Sequence, residues 1–229
     1  AADWVIDLGP EGGEAGGARV RCLGVAMLAL GLVSPASAAV TTVAETGFVV
    51  RLVAETTASA EEAWEALVTP SGWWSDDHTY SGDAANLTID PRASGCFCES
   101  LPAPKDAPRQ SRAGSVEHMR VIHADPGRFL RMSGGLGPLQ SEAVQGTLTM
   151  TLKAQDGGTR ILWEYVVGGQ MRYKVDQIAG AVDLVLAQQL GHLATKLGLP
   201  QRMEVLHEES GEETATARRS DIPDTGEGR

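Results

Sequence analysis

The densest group of side chains that could carry out acid–base chemistry is Asp76-Asp77-His78, with Tyr80 close behind it. In an enzyme, His78 would act as a general base, and Asp76 or Asp77 would orient its ring. Adjacent Asp, Ser and Gly residues are also typical of exposed turns, and we favour that interpretation here. Asp76, His78 and Tyr80 are therefore the catalytic candidates, with a solvated turn as the alternative.

Three further histidines offer no second acid–base group. His118 and His123 lie five residues apart on one predicted strand, so they point to opposite faces and cannot bind one metal ion. His192 lies near the edge of an apolar helical stripe, where a histidine packs more often than it catalyses. No acid–base pair follows from their spacing.

The chain beyond residue 22 keeps two cysteines, Cys96 and Cys98. At alternate positions of a strand their Cα atoms would be about 6.6 Å apart, at the outer edge of disulfide geometry, so a bridge would be strained. Zinc needs about four ligands, and the chain has no CxxC or HxxxH pair to complete a site. We favour packed small residues or free thiols over metal ligands, a strained bridge stays possible, and we predict no metal and no cofactor.

The glycine-rich segment 134–138 (GGLGP) has the composition of a phosphate-binding loop. It precedes a predicted strand rather than a helix, so the helix N-terminus that would bind an anion is missing. We therefore predict a turn.

A single helix of residues 173–198 is the element around which these groups must be arranged. Apolar residues recur in it at three- and four-residue steps: Val175, Ile178, Val182, Val185, Leu186, Leu190, Leu193 and Leu197. Four polar residues fall largely outside this stripe: Asp176, Asp183, Gln188 and Lys196. The pattern predicts an amphipathic helix roughly 37 Å long, which needs a large apolar surface to cover it.

The preceding segments predict seven strands, separated by Gly-, Pro- and Asp-rich turns. The strands cover residues 46–55, 86–90, 95–101, 115–123, 128–133, 143–154 and 159–167. After the first strand, Ser59 and Glu62 have the spacing of a capping box and predict a helix that ends before Pro70, with a short turn or helix at 71–76. The fold class is therefore α+β: a curved antiparallel sheet of seven strands wrapped around a long C-terminal helix, with two short helices after the first strand.

Three motifs follow one another along the predicted domain: AEEAWEAL at 60–67 with Trp73-Trp74 beyond it, ADPGRFL at 124–130, and GTRI at 158–161. In order and spacing they resemble the START-like (SRPBCC) superfamily, in particular the branch named for activators of a heat-shock-protein ATPase. The resemblance covers residues 45–198 and implies the helix-grip fold.

The resemblance also implies a hydrophobic cavity between the sheet and the C-terminal helix, in which lipids, polyketide-like rings or other apolar small molecules bind. Concave apolar pockets are where such ligands go in general. Two departures from the family pattern concern the cavity mouth: Ser94-Gly95 replaces a glycine pair, and residues 102–112 resemble an inserted loop. The ligand-binding residues that we predict are Trp73, Trp74, Tyr80, Met150, Trp163, Tyr165, Val182 and Leu186.

Residues 1–38 predict a leader with a signal peptide rather than part of the fold. Arg19 and Arg21 precede an apolar run, and Ala36-Ser37-Ala38 supplies the small residues that a signal peptidase accepts. Cleavage near Ala38 would make the mature protein periplasmic or secreted. Residues 1–18 lie ahead of the basic start, which is unusual for an export signal, so a start site assigned too far upstream is an alternative.

Charge and hydropathy exclude two kinds of partner. The 229 residues include 19 Lys and Arg against 30 Asp and Glu, and the net charge of −11 argues against nucleic acid. No stretch after the signal peptide approaches twenty apolar residues, so we predict no membrane segment in the mature chain. Residues 201–229 are polar and lack aromatics, which predicts a disordered acidic tail. Oligomeric state does not follow from the sequence.

The leading hypothesis is an exported START-like domain that binds an apolar small molecule without catalysing a reaction. A cyclase or hydrolase of the same fold, using Asp76, His78 and Tyr80, is the first alternative. A co-chaperone-like ATPase activator that acts through its surface is the second, and it fits poorly with export because that ATPase works where ATP is. The fold does not decide among them.

Overall fold

The computed structural model describes residues 40–104, 106, 108 and 111–198. The predicted leader and signal peptide (1–38) and the predicted acidic tail (201–229) lie outside the described residues.

The described chain forms eight strands and two α-helices. In chain order they are β1 (Val40–Ala44), β2 (Gly47–Thr56), α1 (Ala60–Leu67), β3 (Leu87–Ile89), β4 (Cys96–Leu101), β5 (Gly114–Asp125), β6 (Phe129–Ser133), β7 (Ala143–Gln155), β8 (Gly158–Gln170) and α2 (Val175–Lys196). In place of a second short helix, 3-10 turns follow α1 at Pro70–Gly72, Asp76–His78 and Ala84–Asn86.

The strands make one antiparallel sheet in the order β1-β2-β8-β7-β6-β5-β4-β3. The sheet curves around α2, so the fold is the α+β helix-grip arrangement predicted above. It has eight strands rather than seven, because Val40–Ala44 turns back at Glu45 and Thr46 and pairs with β2 as an edge strand. β-branched residues make up most of this strand and favour extended backbone. The strand lies before residue 45, where the predicted domain begins.

α1 begins at the predicted capping box. The Ser59 hydroxyl oxygen accepts a hydrogen bond from the Glu62 amide at 3.2 Å, and the Ser59 amide donates to the Glu62 carboxylate at 2.8 Å. These bonds satisfy two amides that a helix start leaves without an intrahelical partner. The turn that follows α1 is held against the helix, because the Trp73 indole donates a hydrogen bond to the Ala66 carbonyl at 2.8 Å.

α2 buries most of the predicted stripe against the concave face of the sheet. Five residues of the stripe are fully buried: Ile178, Val182, Leu186, Leu190 and Leu193. The prediction that Asp183 lies on the wet side is wrong, because its side chain is buried as well. Asp183 follows Ala179 by four residues and precedes Leu186 by three, which places it on the buried face of an α-helix.

Cys96 and Cys98 form a disulfide, the bridge that the sequence left open. Their Cα atoms are 5.4 Å apart rather than the 6.6 Å or so of a regular strand, which is inside the usual disulfide range. β4 is contracted at this point, opposite an irregularity in its pairing with β5.

Within the described residues, no helix is long and apolar enough to cross a membrane.

Candidate functional site

An apolar opening runs between α2 and the segment that joins β6 to β7. We call it the crevice. Its mouth is formed by the start of the 3-10 turn Gly137–Ser141, and one side by the first half of α2. The lining residues are Trp74, His118, Leu136, Gly137, Pro138, Val182, Val185 and Leu186. His118 is the titratable side chain among them.

The crevice is narrow in this structure. With its open mouth it encloses about 410 Å³ of space between atoms, but only about 20 Å³ of this is wide enough to hold a water molecule. That is room for about one water.

His118 is brought to the crevice by a β-bulge. Phe97 of β4 pairs with Met119 of β5, but the next residue, Cys98, pairs with Glu117, so His118 is the extra residue. A bulge turns the side chain of the extra residue out of the regular alternation. Met119 and His118 are therefore both buried, although they are neighbours on one strand.

The Glu99 carboxylate is the hydrogen-bonding centre behind His118. Glu99 is 1% exposed, and its Oε2 lies 2.9 Å from Nε2 of His118. The same carboxylate accepts hydrogen bonds from the backbone amides of Tyr80 at 3.0 Å and Ser81 at 2.5 Å. A buried carboxylate is tolerated only when it is paired in this way.

Protonation states follow from these contacts. Burial alone would raise the pKa of Glu99, but the hydrogen bonds from Ser81, Tyr80 and His118 together outweigh it and lower that pKa. Burial lowers the pKa of His118, and the Glu99 carboxylate only partly opposes this. At neutral pH Glu99 is ionised and His118 is neutral, so the His118 proton is on Nε2, where it is donated to Glu99.

The mouth of the crevice is tied to the sheet by Tyr165. The buried Tyr165 hydroxyl accepts a hydrogen bond from the Leu136 amide at 3.1 Å and donates to the Gly134 carbonyl at 3.0 Å. A Cβ atom at Gly146 would lie 2.5 Å from the Tyr165 hydroxyl oxygen, so only glycine leaves room for this contact. The predicted turn at 134–138 is thus the structured wall of the crevice.

We call residues 134–142 the mouth turn, and an ion pair holds its far end. Arg172, in the connection between β8 and α2, donates to Glu142 from Nη2 at 2.6 Å, from Nε at 2.9 Å and from its backbone amide at 2.7 Å. The hydrogen bonds from Arg172 lower the pKa of Glu142. The turn is therefore anchored at both ends, and its middle forms the mouth.

Comparison with known proteins gives overall structural likeness at low identity. No family model and no curated protein matches the chain. A protein from Rhizobium leguminosarum of solved structure is 16% identical, with a TM-score of 0.48 over 65% of this chain and 93% of that one. CalU16 from Micromonospora echinospora is 16% identical, with a TM-score of 0.42 over 67% of this chain and 77% of that one. DynU16, whose gene lies in the dynemicin biosynthetic locus, is 16% identical, with a TM-score of 0.41 over 65% of this chain and 46% of that one.

The three predicted catalytic residues make contacts with different partners. The Asp76 carboxylate accepts a hydrogen bond from the Ala84 amide at 2.7 Å and so stabilises the next turn. Nδ1 of His78 lies 2.8 Å from the Gln189 side-chain nitrogen on α2. Tyr80 instead stacks on His118, with ring centroids 5.8 Å apart, and its hydroxyl donates to the Gly137 carbonyl at 3.2 Å. Tyr80 thus contacts two residues that line the crevice, His118 and Gly137.

Most of the predicted ligand-binding residues fall into two groups. Trp74, Val182 and Leu186 line the crevice. Met150, Trp163 and Tyr165 lie in the core and are each at most 1% exposed, and Trp73 packs against Trp163 with ring centroids 5.8 Å apart. Tyr80 is in neither group, because it stacks on His118 without lining the crevice itself. The two adjacent tryptophans thus have different surroundings, and only Trp74 lines the crevice.

Sequence reasoning missed Glu99 and the role of His118. One signal was available for Glu99, because it follows the buried Phe97 by two residues and so shares its strand face. A carboxylate on a core face requires partners. The described residues contain no cluster of three or more His, Cys, Asp or Glu side chains that could hold a metal ion.

Proposed function

We propose that this protein is a START-like domain that binds an apolar small molecule in the crevice. The observation that carries the proposal is the lining: seven of the eight lining residues are apolar or glycine, and the eighth, His118, is held by Glu99. An apolar pocket with very few placed polar groups is the usual form of a small-molecule site.

Binding requires the crevice to widen. Ligand pockets commonly enclose on the order of 300–1,000 Å³. The part of the crevice wide enough for water, about 20 Å³, is far below that range. A flat ring system needs the least widening. Displacement of the middle of the mouth turn, between its anchors at Tyr165 and Arg172, would supply it.

A filled crevice should not bind. Val185 lines the crevice and is half-buried, whereas its neighbour Leu184 is 64% exposed on the outer side of α2. We expect Val185→Phe to weaken the binding of Nile red, a flat neutral dye, by about tenfold or more, which corresponds to ~1.4 kcal/mol. Leu184→Phe is the matched control and should bind as the wild type does. Dye fluorescence titration gives both affinities, and circular dichroism checks that each variant is folded.

Two outcomes would contradict the proposal. Equal weakening by the two variants would place the dye elsewhere. If the wild type takes up no apolar molecule, the interior is solid and the outer surface must be the working part, as in the co-chaperone hypothesis.

The Glu99–His118 pair favours a second candidate, an acid–base enzyme such as a cyclase or hydrolase of the same fold. A carboxylate that holds one imidazole nitrogen in its protonated form leaves the other nitrogen able to accept a proton. Here His118 would have the role first assigned to His78, at 2.9 Å from its orienting carboxylate. Chemical conversion of the bound molecule, lost in His118→Phe, would establish the enzyme over the binder.

We also propose that the mature protein is exported. The basic start at Arg19 and Arg21 and the Ala36-Ser37-Ala38 end support it. The Cys96–Cys98 disulfide supports it as well, since disulfides persist mainly in oxidising compartments. A fusion of residues 19–45 to a reporter enzyme should be secreted and processed near Ala38, as shown by N-terminal sequencing. A reporter that stays in the cytoplasm with residues 19–38 attached would refute export.

A further inference from the structure

We propose that the ligand of the crevice carries one hydrogen-bond donor, such as a phenolic or alcoholic hydroxyl, which it donates to Nδ1 of His118. The inference rests on the proposed function and names the chemical class of the ligand: a flat apolar molecule with a single donor group.

Nε2 of His118 already has a hydrogen-bond partner. It lies 2.9 Å from the Glu99 carboxylate, and that carboxylate also accepts the amides of Tyr80 and Ser81. With three donors bound, Glu99 is fixed in position. His118 cannot turn its ring over without leaving a buried carboxylate short of a partner.

Aromatic neighbours fix the plane of the His118 ring. The His118 ring lies beside the Tyr80 ring, with an angle of 29° between the planes, and beside Phe97, with a centroid distance of 4.9 Å. Two aromatic neighbours and one hydrogen bond define the orientation of an imidazole. The direction of the Nδ1 lone pair is therefore preorganised before any ligand arrives.

Nδ1 is the second nitrogen of the His118 ring. Among the described residues it makes no hydrogen bond, and it is not one of the fully enclosed atoms that lack one. The opening that His118 lines is the crevice, so a ligand would reach Nδ1 from there. Because His118 is neutral with its proton on Nε2, Nδ1 can only accept a hydrogen bond.

Water competes with a ligand for the hydrogen bond to Nδ1. The wide part of the crevice, about 20 Å³, admits about one water molecule. A ligand that displaces this water without supplying a donor loses the hydrogen bond, and one that supplies a donor keeps it. The walls cannot replace it, since Val182, Leu186 and Pro138 have no side-chain donor.

The charges that face His118 give the preference a pH dependence. Glu99 on β4 and Tyr80 from the preceding turn are the titratable groups in contact with it, while α2 and the mouth turn present apolar residues. Acid adds a proton to Nδ1 and makes it a donor. Because burial lowers the pKa of His118, the preference for donor ligands should persist at mildly acidic pH and disappear below that lowered pKa.

The test compares two probes of nearly equal size, 2-naphthol and 2-fluoronaphthalene, of which only the first has a donor. We expect the ratio of their Kd values to favour 2-naphthol more strongly in the wild type than in His118→Phe, by about threefold to tenfold. His123→Phe is the matched control, because His123 is exposed on the same strand, and it should keep the wild-type ratio. Equilibrium dialysis at pH 7 supplies the constants.

A second measurement needs no variant. In the wild type, acidification should raise the affinity for 2-methoxynaphthalene relative to 2-naphthol, because its ether oxygen can accept a hydrogen bond from protonated Nδ1 but cannot donate one to neutral Nδ1. An unchanged ratio in His118→Phe, or in acid, would overturn the inference and leave the proposed binding function intact. If neither probe binds, the proposed function fails and the inference fails with it.

Discussion

Glu99→Ala is expected to lower the free energy of unfolding by about 3 to 5 kcal/mol, because it leaves three buried or half-buried donors without their shared acceptor, at about 1 to 3 kcal/mol each. The substitution removes the acceptor of three donors at once: Nε2 of His118 and the amides of Tyr80 and Ser81. Each would be left buried or half-buried without its partner. Against a total stability of roughly 5 to 15 kcal/mol, this is enough to bring the protein close to unfolding.

Urea denaturation followed by circular dichroism measures the effect, and Glu117→Ala is its control. Glu117 is on the neighbouring strand and pairs with Arg120 at 2.6 Å, but both side chains are about half exposed. Surface pairs of this kind contribute about 0 to 1 kcal/mol. If Glu99→Ala costs no more than Glu117→Ala, the Glu99–His118 pair has no structural weight.

The same pair sets the direction of the pH dependence of stability. His118 has a lowered pKa in the folded state, so below about pH 6.5 the unfolded chain gains a proton that the folded chain resists, and stability falls. Glu99 also has a lowered pKa, so its contribution is present above its ordinary value of 4.5 and is lost as the pH falls through the lowered one. Both groups destabilise the fold on acidification. His118→Phe should flatten the upper part of this curve.

Trp163→Ala is expected to cost about 3 to 5 kcal/mol, the range for removing a large aromatic side chain from a packed core. Trp163 is 1% exposed on β8, opposite Met150 of β7, and packs on Trp73. Leu186→Ala should cost less, near the lower end of the 2 to 5 kcal/mol or so typical of leucine, because Leu186 already borders the crevice and loses fewer contacts. Its effect on Nile red binding should exceed its effect on stability.

Leu184→Ala, at a side chain that is 64% exposed on the same helix, is the baseline for both measurements. Met150→Ala should behave like Trp163→Ala, since Met150 is also 1% exposed and away from the crevice. Equal and full losses at Leu186, Met150 and Trp163, together with no dye binding, would mean that no usable crevice exists.

Periodicity was sufficient for most of the fold. The stripe of α2 and the alternation of the two longest strands are direct consequences of burial on one face, so the sequence carries them. The first edge strand was missed because Val40–Ala44 has no such alternation, and most of its residues are exposed. Asp183 was misplaced because its polarity was given more weight than its spacing.

The site could not be predicted in the same way, for a reason that lies in one bulge. In a regular strand with Met119 and Val121 facing the core, His118 would face outward. The extra residue opposite Phe97 and Cys98 reverses this. A bulge depends on pairing between strands separated by a long loop, and that pairing is not encoded in the local pattern of either strand.

The pairing of β2 with β8 also sets the order in which the domain can form. Arg51 on β2 pairs with Glu164 on β8, which is 113 positions further along the chain. In the described sheet β2 lies between β1 and β8, so during synthesis its longer partner is missing until β8 has left the ribosome. Contacts this distant in sequence slow folding and leave apolar strands exposed in the meantime. We therefore expect the domain to fold only after the last strand and helix have been synthesised. Until then its first half is at risk of aggregation and would need protection by chaperones.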